Sequence, residues 1–114
     1  FMAKTKKITK KELTKILIEL LKQRGISIYR IVIFGSYVKG LSKEDSDIDI
    51  IIVSKEFRNK NIFERIELTA GINRELVKRT MKPFDIMYYS DEEWEKSNSL
   101  IINTAKREGE IIYG

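Results

Sequence analysis

The sequence predicts an α/β (α+β) architecture, a single mixed β-sheet of about four strands flanked by helices. Three observations lead there. Helix-periodic and strand-like segments alternate in the order α-β-(short α)-β-α-β-α-β, a pattern satisfied by one sheet with helices packed against it. The 114 residues suffice for one hydrophobic core and are too few for two, so residues 1–114 are expected to form one domain. No repeat, low-complexity stretch or linker interrupts the alternation.

The elements follow in order. Thr9-Lys10-Lys11-Glu12 is a capping box, and Leu13, Ile16, Leu17, Leu20 and Leu21 follow it at helical spacing. Gly25 stops that helix. "SIYRIVIFG", residues 27–35, is β-branched and apolar and reads as the first strand. Gly35-Ser36 should open a short helix, and residues 47–53, "DIDIIIV", form the second strand. Asn61-Ile62-Phe63-Glu64 opens a long helix with Phe63, Ile66, Ala70 and Val77 on one apolar face and a basic end at Lys78, Arg79 and Lys82. Pro83 can only begin a strand, and "PFDIMYY" supplies it. Ser90-Asp91-Glu92-Glu93 caps a helix expected to end near Gly109, before a short last strand, "EIIYG". About ten residues separate the first two strands, so periodicity leaves their relative direction open.

Composition narrows the chemistry. With 42% hydrophobic and 34% charged residues the chain reads as soluble and globular. Apolar runs such as Ile50–Val53 are far shorter than the roughly 18 residues of a membrane span. No secretory signature is seen, so the expected location is the cytoplasm. Phe1 ahead of Met2 is expected to be foreign to the natural chain and is left aside. There is no Cys and no His, which excludes disulfides, Ser-His and Cys-His catalysis and ordinary zinc sites. Carboxylates, hydroxyls, Lys and Arg remain, and any metal should be a hard, oxygen-preferring one. The net charge of +5 is concentrated in residues 1–24, with eight Lys/Arg against two Asp/Glu. No aromatic residues interleave that run, so direct nucleic-acid binding is not expected, and a solvated lysine face accounts for it.

The chemistry-bearing stretch is "FGSYVKGLSKEDSDIDI", residues 34–50. Strand alternation puts Asp47, Asp49, Ile51 and Val53 on one side. Two same-side aspartates lie about 6.5–7 Å apart along a strand, and their mutual repulsion is tolerated at an exposed strand end or beside a cation. Their oxygens could converge on one divalent ion or bridge two. Asp85 interrupts the apolar run Phe84, Ile86, Met87, where a lone buried carboxylate would be hard to justify, and on a neighbouring strand it is the natural third ligand. Gly35 allows close backbone approach, and Ser36 with free N–H groups at a helix start makes an anion site. Gly35 and Gly40 have P-loop separation, but Leu41-Ser42 stands where Lys-Ser/Thr would be required.

Gly35-Ser36, ten intervening residues, Asp47-x-Asp49 and the later Asp85 closely resemble the minimal nucleotidyltransferases of the DNA polymerase beta superfamily. The likeness runs from the first helix to the terminal "GEIIYG". "GSYVKG…SDIDI" is similar to that family's "GSxARG…SDIDL", with Val38 for the usual Ala and Lys39 for the usual Arg. Lys39 keeps the charge and loses the planar fork. The resemblance implies a nucleotidyltransferase fold. It implies two Mg²⁺ held by Asp47 and Asp49, with Asp85 completing the catalytic ion's ligands, and β/γ-phosphates of ATP on Gly35 and Ser36, with Lys39 in phosphate contact. Minimal members of the family pair with helical HEPN proteins, and some are antitoxins attaching AMP to a tyrosine of a HEPN ribonuclease. The expected function is thus a protein adenylyltransferase antitoxin with a HEPN toxin as partner. Two alternatives stay open: an antitoxin acting by contact alone, and an enzyme modifying a small molecule or an RNA end, resembling the kanamycin nucleotidyltransferases. Trp94 is a candidate anchor for the partner, the alternative being packing on the sheet.

Overall fold

The computed structural model describes residues 8–35, 47–97 and 99–114. Its elements are α1 (Lys10–Gln23), β1 (Arg30–Phe34), β2 (Ile48–Val53), a 3-10 turn (Lys55–Phe57), α2 (Ile62–Thr69), α3 (Ile72–Thr80), β3 (Phe84–Tyr89), α4 (Asp91–Lys96), α5 (Leu100–Glu108) and β4 (Glu110–Tyr113). The short helix expected after Gly35 lies outside the described residues. The sheet order is β3-β2-β1-β4. β1 is antiparallel to β2 and to β4, whereas β2 and β3 are parallel. That parallel pair is joined through α2 and α3, the long crossover that parallel pairing requires.

The two sheet faces carry different covers. Ile31, Ile33, Ile48, Ile50, Ile52 and Phe84 face α1 and α3, where Leu13, Leu17, Leu20, Leu21, Ile72 and Leu76 complete the larger core. Burying each leucine contributes about 1.5–3 kcal/mol relative to exposure, so α1 is held by packing more than by helix propensity. Its start is the expected capping box: the Glu12 N–H donates to Thr9 Oγ1 and the Thr9 N–H to Glu12 Oε1, both at 3.0 Å. On the other face Val32, Phe34, Ile51 and Val53 pack with Trp94, Ile102 and Ala105 from α4 and α5.

Four expectations are corrected here. The long helix after Asn61 is two helices, broken where Ala70 leaves helical geometry and Gly71 adopts φ +88°. That left-handed conformation favours glycine and turns α3 onto the sheet. The apolar face drawn through Phe63, Ile66, Ala70 and Val77 therefore does not form one buried stripe: Phe63 is 77% and Ile66 59% exposed, and Val77 packs on the larger core. The helix after Ser90 also breaks, at Ser97 with φ +54°, giving α4 and α5. Trp94 is 3% exposed and lies in the smaller core, which rules it out as a surface anchor.

Candidate active site

Strand direction decides what meets what. In the antiparallel β1–β2 ladder Phe34 pairs with Asp49, and in the parallel β2–β3 ladder Asp49 pairs with Asp85. Neighbouring strands lie roughly 4.8 Å apart, so Asp49 and Asp85 are immediate lateral neighbours. Alternation puts Asp49 on the face of Ile51 and Val53, and Asp85 on the face of Met87 and Tyr89. Asp47 stands just before β2 and is exposed. The three aspartates thus gather where β2 and β3 begin. The Ile48 N–H donates to the Pro83 carbonyl at 3.0 Å and holds the starts of the two strands level.

Asp85 itself is exposed, because β3 is an edge strand. The reasoning from burial does not apply to it. What singles Asp85 out is its register with Asp49.

Gly35 ends β1 beside this pair with φ +85°. A Cβ there would collide with Oδ2 of Asp49. The absent side chain is the space that the Asp49 carboxylate occupies, a requirement separate from the left-handed backbone. Phe34, 7% exposed, forms the apolar floor next to Asp49. Phe34 was not singled out from the sequence, although an aromatic residue just before Gly-Ser is the available signal. Ser36 and Lys39 lie outside the described residues.

The electrostatics follow from this crowding. Burial raises the Asp49 carboxyl above the ordinary aspartate range, and the charges of Asp85 and Asp47 raise it further. Among the described residues, no cationic side chain is among the groups that act on Asp49. Among the described residues, no three acidic side chains close into a ready-made metal cage. The donor set still fits magnesium, which takes one or two carboxylates with substrate phosphates and waters in preference to an all-protein cage. The unbalanced negative charge around Asp49 is the specific observation in favour of a cation there.

A family model for the nucleotidyltransferase domain matches residues 10–111. The chain belongs to that family. The nucleotidyltransferase fold recurs in solved structures. A chain of a toxin–antitoxin complex crystallised with AMP-PNP superposes with a TM-score of 0.63 at 21% identity, covering 88% of this chain and 72% of that one. A chain from the complex of a tri-AMPylated Shewanella oneidensis HEPN toxin with its MNT antitoxin gives 0.57 at 20% identity, covering 93% and 73%. A protein described as a minimal nucleotidyltransferase gives 0.54 at 19% identity, covering 90% and 95%. A search of curated proteins finds no match. At these identities the likeness concerns the fold. Among the described residues, no helix is long and apolar enough to cross a membrane.

Proposed function

We propose that this nucleotidyltransferase transfers AMP from ATP to a hydroxyl of a partner protein, a tyrosine of a HEPN toxin, and so acts as an antitoxin in the cytoplasm. The observation carrying the reading is the lateral pairing of Asp49 with Asp85 beside the Cβ-free cradle of Gly35. A complex of a tri-AMPylated HEPN toxin with its MNT antitoxin contains a chain of this fold, which supports the choice of acceptor.

Asp47, Asp49 and Asp85 would hold two Mg²⁺ ions. When bound, a divalent ion neutralises the triphosphate and lowers the pKa of the acceptor hydroxyl. Gly35 lets the chain approach the nucleotide closely, and Ser36 and Lys39, in the stretch that follows, would meet the β- and γ-phosphates. The acceptor hydroxyl gives up its proton to solvent as its oxygen bonds to the α-phosphorus, the bond to the bridging oxygen breaks, and pyrophosphate leaves. Substrate positioning and charge placement account for catalysis of this kind, and neither His nor Cys is required.

Calorimetry on the isolated chain tests the nucleotide half of the proposal: ATP should bind measurably with Mg²⁺ and much more weakly in EDTA. Equal and negligible binding in both would remove the transferase reading. Label from α-³²P-ATP should then appear on a tyrosine of a co-expressed HEPN protein. Nucleotide binding without such label would leave a transferase with another acceptor.

A further inference from the structure

On the same sheet face, away from the aspartates, a cleft of about 450 Å³ opens between β1, β4 and the helices α4 and α5. Its volume falls within the range of small-molecule sites. Val32, Trp94, Ala105 and Ile111 contribute apolar walls, and Arg30 and Lys106 line it with positive charge. The Arg30 guanidinium stands over the Tyr29 ring at 5.1 Å, its Nε is buried, and among the described residues that Nε has no hydrogen-bond partner. Lys106 Nζ donates to the Ser97 hydroxyl and lies 5.1 Å from the centre of the Trp94 ring. Among the described residues, neither Arg30 nor Lys106 forms an ion pair.

The two carboxylates that line the cleft are already engaged. Glu95 accepts from the Tyr29 hydroxyl at 2.7 Å, and Glu110 accepts from Lys10. The covered Nε of Arg30 leaves the guanidinium's terminal nitrogens as the donors a ligand can reach. These nitrogens present a planar fork suited to a carboxylate.

We propose that this cleft binds a small organic anion, a carboxylate with an apolar body, its head at Arg30 and its body along Trp94 and Ile111. The site is distinct from the aspartates: Arg30 and Phe34 lie at opposite ends of β1, roughly 13 Å apart by strand rise. The proposal stands whether or not the transferase reading does.

Trp94 is the sole tryptophan, so its emission reports on the cleft directly. The probe is hexanoate, which does not absorb at the excitation wavelength, titrated at constant ionic strength beside 1-hexanol and inorganic phosphate. Saturation-transfer NMR on the hexanoate methyl group is the second readout. Hexanoate is expected to give a saturable change, and neither hexanol nor phosphate should match it. Arg30→Gln should weaken hexanoate about tenfold and Lys106→Gln about threefold, in keeping with loss of a charge-assisted bond and of a nearby charge. No saturable hexanoate response by either readout overturns the proposal. So does an equal response to hexanol, which would mean an apolar patch, or to phosphate, which would mean a bare cation. Unchanged affinity in a folded Arg30→Gln overturns it as well. Should that variant not fold, wild-type affinity in Lys106→Gln does so in its place.

Discussion

The two ends of strands β2 and β3 treat carboxylates in opposite ways. Where the strands finish, Glu93 and Asp91 each have an arginine partner. Glu93 caps α4 by accepting the Ser90 N–H at 2.8 Å and takes a second bond, also 2.8 Å, from Arg65 Nη1. Asp91 accepts two hydrogen bonds from Arg58. Burial alone would raise the Glu93 carboxyl, but the Ser90 N–H and Arg65 outweigh it and the net shift is downward. The Arg58 hydrogen bond likewise lowers Asp91. Where the strands begin, Asp49 is raised by burial and by two further aspartates. Acids that serve the fold are neutralised within it. A cluster left in repulsion is a candidate functional site, because local rules are broken mainly at such sites.

The largest effect is expected at the strand starts. Asp85→Asn should reduce AMP transfer about a thousandfold, roughly 4 kcal/mol of transition-state stabilisation. Nucleotide affinity should change much less, and the exposed, near-isosteric amide leaves β3 intact. Labelled AMP on a co-expressed HEPN partner, together with survival of cells expressing that partner, measures it. Full protection by Asp85→Asn, with no label in either case, would mean an antitoxin working by contact alone.

The finishing end should answer in stability. Arg65 is 17% exposed in its side chain and donates to the carbonyls of Lys60, Tyr88 and Phe57 as well as to Glu93. It ties the 3-10 turn, α2, β3 and α4 together. Arg65→Met should therefore cost about 2–4 kcal/mol, from several lost bonds and buried acceptors left open. Urea unfolding measures it, and a loss below about 1 kcal/mol would show the knot to be dispensable.

Ser36→Ala is expected to weaken Mg²⁺-ATP by about 1–2 kcal/mol, the range of a hydrogen bond to a charged group. Unchanged affinity in calorimetry would assign phosphate binding to backbone N–H groups alone.

The smallest effects have opposite signs at the two ends. A carboxyl raised on folding contributes stability that is fully present below its unfolded pKa and lost as pH rises through the folded value. In EDTA, Asp49→Asn should therefore stabilise the protein at neutral pH and lose its advantage in acid. Glu93 is lowered, so its contribution is present above its unfolded pKa and lost as pH falls through the folded one. Glu93→Gln should destabilise at neutral pH, by an amount that shrinks in acid. Both groups are largely open to solvent screening, so each effect should stay within about 1 kcal/mol. Urea unfolding between pH 3 and 8 separates the signs, and the same sign for both variants would erase the contrast.

Local signals carried the element starts. Thr9–Glu12, Asn61–Glu64 and Ser90–Glu93 all form the capping boxes their spacing announces, since a cap needs only residues within one turn. The apolar period placed β2 and β3, and the Gly-Ser and Asp-x-Asp spacing pointed to the candidate site without any fold. Tertiary contacts decided the rest. Nothing within β3 says that Asp85 will face Asp49; that requires β2 and β3 to run parallel in one register, which the crossover through α2 and α3 allows. The exposure of Phe63 and the burial of Trp94 were equally out of local reach. A helix's apolar residues do not say which of them the sheet will reach, and that depends on breaks at Gly71 and Ser97 whose angles are set by packing. Periodicity lists the candidates for burial, and the sheet, with room for only some of them on each face, makes the choice.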